Sequence, residues 1–179
     1  MRLLKDCGIR LLAFDADDTL WDCQGHFDAV EESYCQLLAP YGSKQEVAAS
    51  LFSTETANMA LLGYGSKAFT ISLIENAIKV SGGKVGCDTL TRIIDMGKSL
   101  LNMPATPLPG VTQTLKALRG GKQKMVVFTK GDNLDQENKF KRSGLQPFFD
   151  DCIVVADKTT REYEHLCQLF DVSIDQLCM

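Results

Sequence analysis

The chain has no C-x-x-C pair, no even set of cysteines, no sustained run of lysine and arginine, and no apolar stretch of bilayer length. Each absence removes a class of function. The seven cysteines (Cys7, Cys23, Cys35, Cys87, Cys152, Cys167 and Cys178) are scattered, which fits reduced thiols in a cytoplasm better than a disulfide framework. A net charge of −4 with no basic run leaves no electrostatic footprint for nucleic acid. The nearest approach to one, Arg119 to Lys124, reads as a solvated turn. Without about 20 consecutive apolar residues there is no membrane span. The start, M-R-L-L-K-D-C-G, has no uninterrupted apolar region before Arg10 and does not read as a signal peptide. Only two histidines occur, His26 and His165, and neither has metal-ligand spacing with cysteines or acids. Gly63-Tyr-Gly-Ser-Lys67 lacks both the spacing and the preceding strand of a nucleotide-binding phosphate loop. No internal repeat is evident.

What the sequence does have is concentrated in Ile9 to Trp21, I-R-L-L-A-F-D-A-D-D-T-L-W. Its apolar opening, broken only by Arg10, predicts a strand buried on both faces, as in a parallel sheet. Asp15, Asp17 and Asp18 follow within four residues. Carboxylates repel one another and are costly to desolvate, so such a cluster at a strand end calls for compensation. A hard divalent cation such as Mg²⁺ suits carboxylate oxygen. Ligands of open α/β sheets bind beyond the carboxyl ends of the strands. The plainer reading of the same residues is an Asp-rich turn capping the next element.

From about Gln24 to Met103 only helical periodicities occur. One joins Phe27, Val30, Tyr34 and Leu37/Leu38; a second joins Ala48, Leu51/Phe52, Met59 and Leu62; a third joins Ile71, Ile74 and Ile78; a fourth runs Leu90, Ile93/Ile94, Gly97 and Leu100/Leu101. Four such helices separated by Gly, Ser and Pro predict a small bundle. Pro104-Ala-Thr-Pro-Leu-Pro-Gly110 is a stiff return linker. Beyond it the pattern becomes α/β. A helix is marked by Val111, Leu115 and Leu118, and a buried strand by Met125 to Phe128. A polar helix runs from Asp132, its N-cap, to Arg142 and stops at Gly144. A second buried strand spans Cys152 to Ala156; Thr159-x-x-Glu162 is a capping box, before a helix striped by Tyr163, Leu166/Cys167 and Phe170.

The D-x-D-x-T-L following a hydrophobic strand resembles the first motif of the haloacid dehalogenase superfamily, mostly phosphatases that work through an aspartyl-phosphate. The resemblance implies that Asp15 is the nucleophile, with its carboxylate also on Mg²⁺. It implies that Asp17 is the general acid/base and lends its backbone carbonyl to the metal. The dehalogenases of that family lack an acid two residues after the nucleophile, because a halide leaves without a proton. Thr129, in V-V-F-T-K-G-D, matches the second motif, a hydroxyl that binds the phosphoryl group, with Lys130 beside it as a further phosphate contact. Lys158, in A-D-K-T-T, fits the third motif, whose ammonium offsets the charge of Asp15 and phosphate, although Lys-Pro is commoner there. The implied fold is α/β: a Rossmann-like parallel-sheet core, residues 1–21 and 104–179, interrupted by an inserted all-helical cap domain, residues 22–103. Trp21 and Asp22 would lie where such caps flex.

The expected activity is Mg²⁺-dependent hydrolysis of a small-molecule phosphate ester by a cytoplasmic monomer or weak dimer, with no nucleic-acid or membrane partner. A phosphomutase of the same family and a non-catalytic phosphate-binding relative stay open as alternatives. The family also carries a fourth, acidic motif after a further strand beside the first, and Leu177–Met179 reads as the start of that strand. Asp157 is a poor replacement, since the family's strand order puts its strand two positions from the first, roughly 10 Å away. Asp132 is nearer but serves as a helix cap. The expectation is therefore a C-terminally truncated form, with weak Mg²⁺ affinity, little activity, and a first strand left as an unpaired apolar edge.

Overall fold

A computed structural model describes residues 7–179; the N-terminal stretch read above, through Asp6, lies outside them. The chain divides into two compact units, one running up to Cys23 and from Pro104 to Met179, the other Gln24–Met103.

The first unit is organised by β1 (Leu11–Phe14). Its alternating side chains serve two different cores, which is why the run is apolar throughout. Leu12 packs with Leu20, Trp21, Leu115, Met125, Val127 and Phe140. Leu11 and Ala13 pack on the other face with Val126, Phe128 and Leu166. Helices on both faces of a parallel sheet give the Rossmann-like layering. The sheet order is β3-β2-β1-β4, with β2 at Lys124–Lys130, β3 at Asp151–Val155 and β4 at Leu177–Cys178, and every pairing is parallel.

The second unit holds four helices: α1 (Gln24–Leu37), α2 (Lys44–Leu62), α3 (Ser66–Val80) and α4 (Cys87–Leu101). In the first unit follow α5 (Val111–Arg119), α6 (Asn133–Ser143, N-capped by Asp132 and closed by left-handed Gly144) and α7 (Thr160–Leu169). No helix among the described residues is long and apolar enough to cross a membrane.

Several expectations are corrected. The first strand is not an unpaired edge, because Leu177 and Cys178 pair with Leu11 and Leu12. The strand at Asp151–Val155 is half-buried, since among the described residues it is the outer strand and its neighbour is β2. Thr159 caps α7 through its backbone, with no side-chain bond, whereas complete capping boxes form at Ser43/Glu46 and Ser173/Gln176. The basic stretch from Arg119 to Lys124 is not simply solvated. Arg119 and Lys124 both pair with Asp150, whose carboxylate also accepts the Met125 amide at 2.8 Å.

The inward face of α3 also differs from the isoleucine stripe. Ile71 and Ile78 are 48% and 46% exposed, while Phe69, Ser72, Leu73, Asn76 and Ala77 are buried. The helix carries two apolar stripes, and polar bonds choose between them. Asn76 Nδ2 donates to Tyr34 Oη at 2.8 Å, and Tyr34 in turn donates to the Leu73 carbonyl at 2.9 Å. An inward Asn76 puts Leu73 and Ala77 inside and turns Ile71 and Ile78 out. On α4 the buried Gly97 is required by contact, because a Cβ there would meet Thr70 Oγ1 at 2.0 Å and its Cβ at 2.7 Å.

Two outcomes follow from this packing. Gly97→Ala should destabilise the fold by about 1–3 kcal/mol in urea unfolding, despite alanine's better helix propensity, because α3 must shift. A further Thr70→Ala in the same protein should recover most of that loss. The Asp150 carboxyl is held below its ordinary value of 3.8, by the Arg119 hydrogen bonds first and the Met125 amide next. A depressed folded value means that the stabilisation is present above the unfolded value and is lost as pH falls through the folded one. Acid unfolding below about pH 4 should therefore be shallower in Asp150→Asn than in the parent.

Candidate active site

The parallel register aligns Phe14 with Val127 and Thr129 with Val154, so the ends of β1, β2 and β3 open toward one side. Asp15 emerges there directly after β1. Its Oδ1 accepts from Lys158 Nζ at 2.5 Å, with side chains 41% and 17% exposed respectively. Lys158 reaches in from beyond β3, passing Phe128 with its Nζ 5.9 Å from the ring centroid. Thr129 lies within β2 and not just after it, and it is buried. Lys130 ends that strand half-exposed.

The three acids after β1 meet three different fates. Asp17 turns its carboxylate onto α6. Lys139 Nζ lies 2.8 Å from both oxygens, Gln136 Nε2 donates to Oδ2 at 2.7 Å, and Trp21 Nε1 donates to Oδ1 at 2.8 Å. Burial raises the Asp17 pKa, but the Lys139 charge and the hydrogen bonds from Lys139, Gln136 and Trp21 outweigh it and hold the carboxyl below its ordinary range. Asp18, in the left-handed region at φ 58°, accepts the Cys23 amide at 2.9 Å. The plainer reading, a turn that caps the next element, therefore describes Asp18. The Cys23 thiol is pushed up to about 12 by burial and then by the Asp17 charge, which leaves it a poor nucleophile.

Trp21 is fully buried among the side chains of the sheet, and its backbone bridges both Asp17 and Pro107. Asp132 is occupied as the N-cap of α6, accepting the Asp135 amide at 3.0 Å.

These features are set in a chain whose sequence matches the haloacid dehalogenase-like hydrolase family over residues 9–179. The chain belongs to that family. No curated protein matches the sequence. Among solved structures, a haloacid dehalogenase-like family hydrolase from Xanthomonas campestris is 30% identical with a TM-score of 0.89, the match covering 95% of this chain and 71% of that one. A predicted phosphoglycolate phosphatase from Haemophilus somnus is 16% identical, with a TM-score of 0.57 over 95% and 75% of the two chains. The hydrolase YfnB from Bacillus subtilis, solved bound to magnesium, is 18% identical, with a TM-score of 0.58 over 94% and 76%. L-2-haloacid dehalogenases share the same fold. The last three likenesses concern fold alone.

Hydrolases of this kind generally use Mg²⁺, and the donors present fit such an ion in part. Among the described residues no three His, Cys, Asp or Glu side chains converge as a metal site. Asp15 presents a carboxylate of the hard-oxygen type, although its Oδ1 is on Lys158, whereas the carboxylates of Asp17 and Asp18 are engaged with Lys139 and Cys23. Mg²⁺ keeps several waters when bound through one or two carboxylates. The site thus suits a largely hydrated ion on Asp15 and falls short of a protein-enclosed shell.

Sequence reading passed over Lys139, Gln136 and the Trp21 indole as partners of Asp17. The available signal was α6 itself. Gln136, Lys139 and Ser143 share one face with Phe140, at three- and four-residue steps, and all are buried. A helix polar on every side asks what its inward polar groups bind.

Proposed function

We propose that this hydrolase cleaves small-molecule phosphate monoesters through an aspartyl-phosphate on Asp15. The observation that carries the reading is Asp17, a carboxylate two residues beyond Asp15 and held by three side chains. Departure of a halide needs no such group, whereas an alkoxide must gain a proton.

In the first step an Asp15 oxygen attacks phosphorus, the P–O ester bond breaks, and its electron pair leaves on the alkoxide, which takes a proton from Asp17. In the second, water attacks phosphorus, the bond to Asp15 breaks and regenerates its carboxylate, and Asp17 accepts the water's proton. That proton serves the next leaving group, so the cycle consumes only ester and water. Lys158, already paired with Asp15, offsets the negative charge that gathers there. Thr129 and Lys130, at the end of β2, bind the phosphoryl oxygens. Mg²⁺, held by the Asp15 carboxylate and the Asp17 carbonyl, would neutralise those oxygens further. The helical unit, Gln24–Met103, selects the ester, and the α/β unit supplies the chemistry. Seven free thiols agree with work in the cytoplasm.

Asp15→Asn should abolish turnover and any acyl-phosphate trapped by acid quench. Asp17→Asn should lose most on esters of weakly acidic alcohols and least on p-nitrophenyl phosphate; substantial turnover by Asp15→Asn would refute the nucleophile. Folded variants within residues 27–101 should change the ratio of kcat/KM values across a panel of esters. An equal loss on every ester, p-nitrophenyl phosphate included, would count against selection by the helical unit.

A further inference from the structure

A carboxylate has about four lone-pair sites, and four contacts fill those of ionised Asp17, so one of them must open when Asp17 carries the proton it gives. Oδ1 takes Trp21 Nε1 and Lys139 Nζ, each at 2.8 Å; Oδ2 takes Gln136 Nε2 at 2.7 Å and Lys139 Nζ at 2.8 Å. A set this complete fixes the plane of the carboxylate as well as its place. Two of the three partners come from α6, the helix that follows β2 and Thr129. Gln136 also donates to the Lys130 carbonyl at 3.1 Å, which ties the end of β2 to the loop after β1. Room for that amide is left at Gly131, where a Cβ would come within 3.1 Å of Gln136 Nε2. Lys139 is 3% exposed, and its other acidic neighbour, Asp135, stands off at 4.0 Å. Its Nζ is therefore committed chiefly to Asp17.

We propose that Lys139 is a positioning residue for the acid–base step, fixing with Gln136 where the Asp17 carboxylate lies relative to Asp15. The proposal rests on the role given to Asp17 above. A lysine that only neutralised a buried acid would affect every substrate alike. A positioning lysine acts through Asp17, so its loss is felt where the leaving group needs a proton.

The test compares kcat and KM for alkyl phosphates and p-nitrophenyl phosphate in the 179-residue protein. Lys139→Gln should lower kcat on alkyl esters by about a hundredfold with little change in KM, and should lower it far less on p-nitrophenyl phosphate. Gln136→Met, which removes one donor and no charge, should give the same selectivity at about tenfold, and serves if Lys139→Gln does not fold. Adding Lys139→Gln to Asp17→Asn should cost nothing further on alkyl esters. Independently of turnover, the chain has one tryptophan, so the indole N–H resonance of Trp21 reports on its bond to Asp17. That resonance should move in Lys139→Gln and in Gln136→Met.

Equal loss on all esters, additive loss with Asp17→Asn, or an unmoved indole resonance would overturn the positioning role. If Asp17→Asn itself shows no leaving-group selectivity, the function proposed above fails together with this inference. If Asp17→Asn is selective and Lys139→Gln is not, only this inference fails.

Discussion

Three carboxylates at the end of one buried strand form a charge cluster that a protein interior does not tolerate unless each is answered. Much of the α/β unit is the answer. Asp15 draws Lys158 in from beyond β3, Asp17 draws Lys139 and Gln136 in from α6, and Asp18 is used locally on the Cys23 amide. The two lysines come from opposite sides of β3 in the chain, Lys139 before it and Lys158 after it, so neutralising the cluster also fastens α6 and the segment after β3 around it. Removing Lys139 would leave Asp17 partly buried without its cation, a larger loss than removing Lys158 from the more exposed Asp15.

The helical unit uses polarity differently. Tyr34 and Asn76 are buried and bonded to each other between α1 and α3. A net hydrogen bond contributes only about 1 kcal/mol, but leaving either group unpaired would cost more. The pair therefore serves register more than stability, choosing which stripe of α3 faces inward. Gly97 completes the arrangement by letting α4 approach Thr70 where any side chain would collide.

Family membership and chemistry are carried by different residues. The parallel sheet is common to phosphatases and dehalogenases among the solved relatives. What separates those chemistries is whether an acid stands where a leaving group needs a proton. On the function proposed above, the acid in this chain is Asp17, held by three side chains.

The order of elements was legible in the sequence because it rests on local signals. A run apolar at every position makes a strand covered on both faces, and Gly or Pro after most of the periodic stretches ends a helix. Asp15, Thr129 and Lys158 could be picked out for the same reason, each following or ending a short apolar run. The partners of Asp17 could not. Lys139 lies 122 residues from it, and periodicity reports which apolar side chains turn inward, not which charges meet across a sheet. The inward stripe of α3 was likewise undecided until Asn76 met Tyr34 on another helix. Leu177–Cys178, read in the sequence as the start of a strand, was not expected to cover the edge of β1, and only the pairing with Leu11 and Leu12 shows that it does. Those choices belong to the tertiary structure, because pairing a buried polar group depends on what the rest of the chain brings within about 3 Å of it.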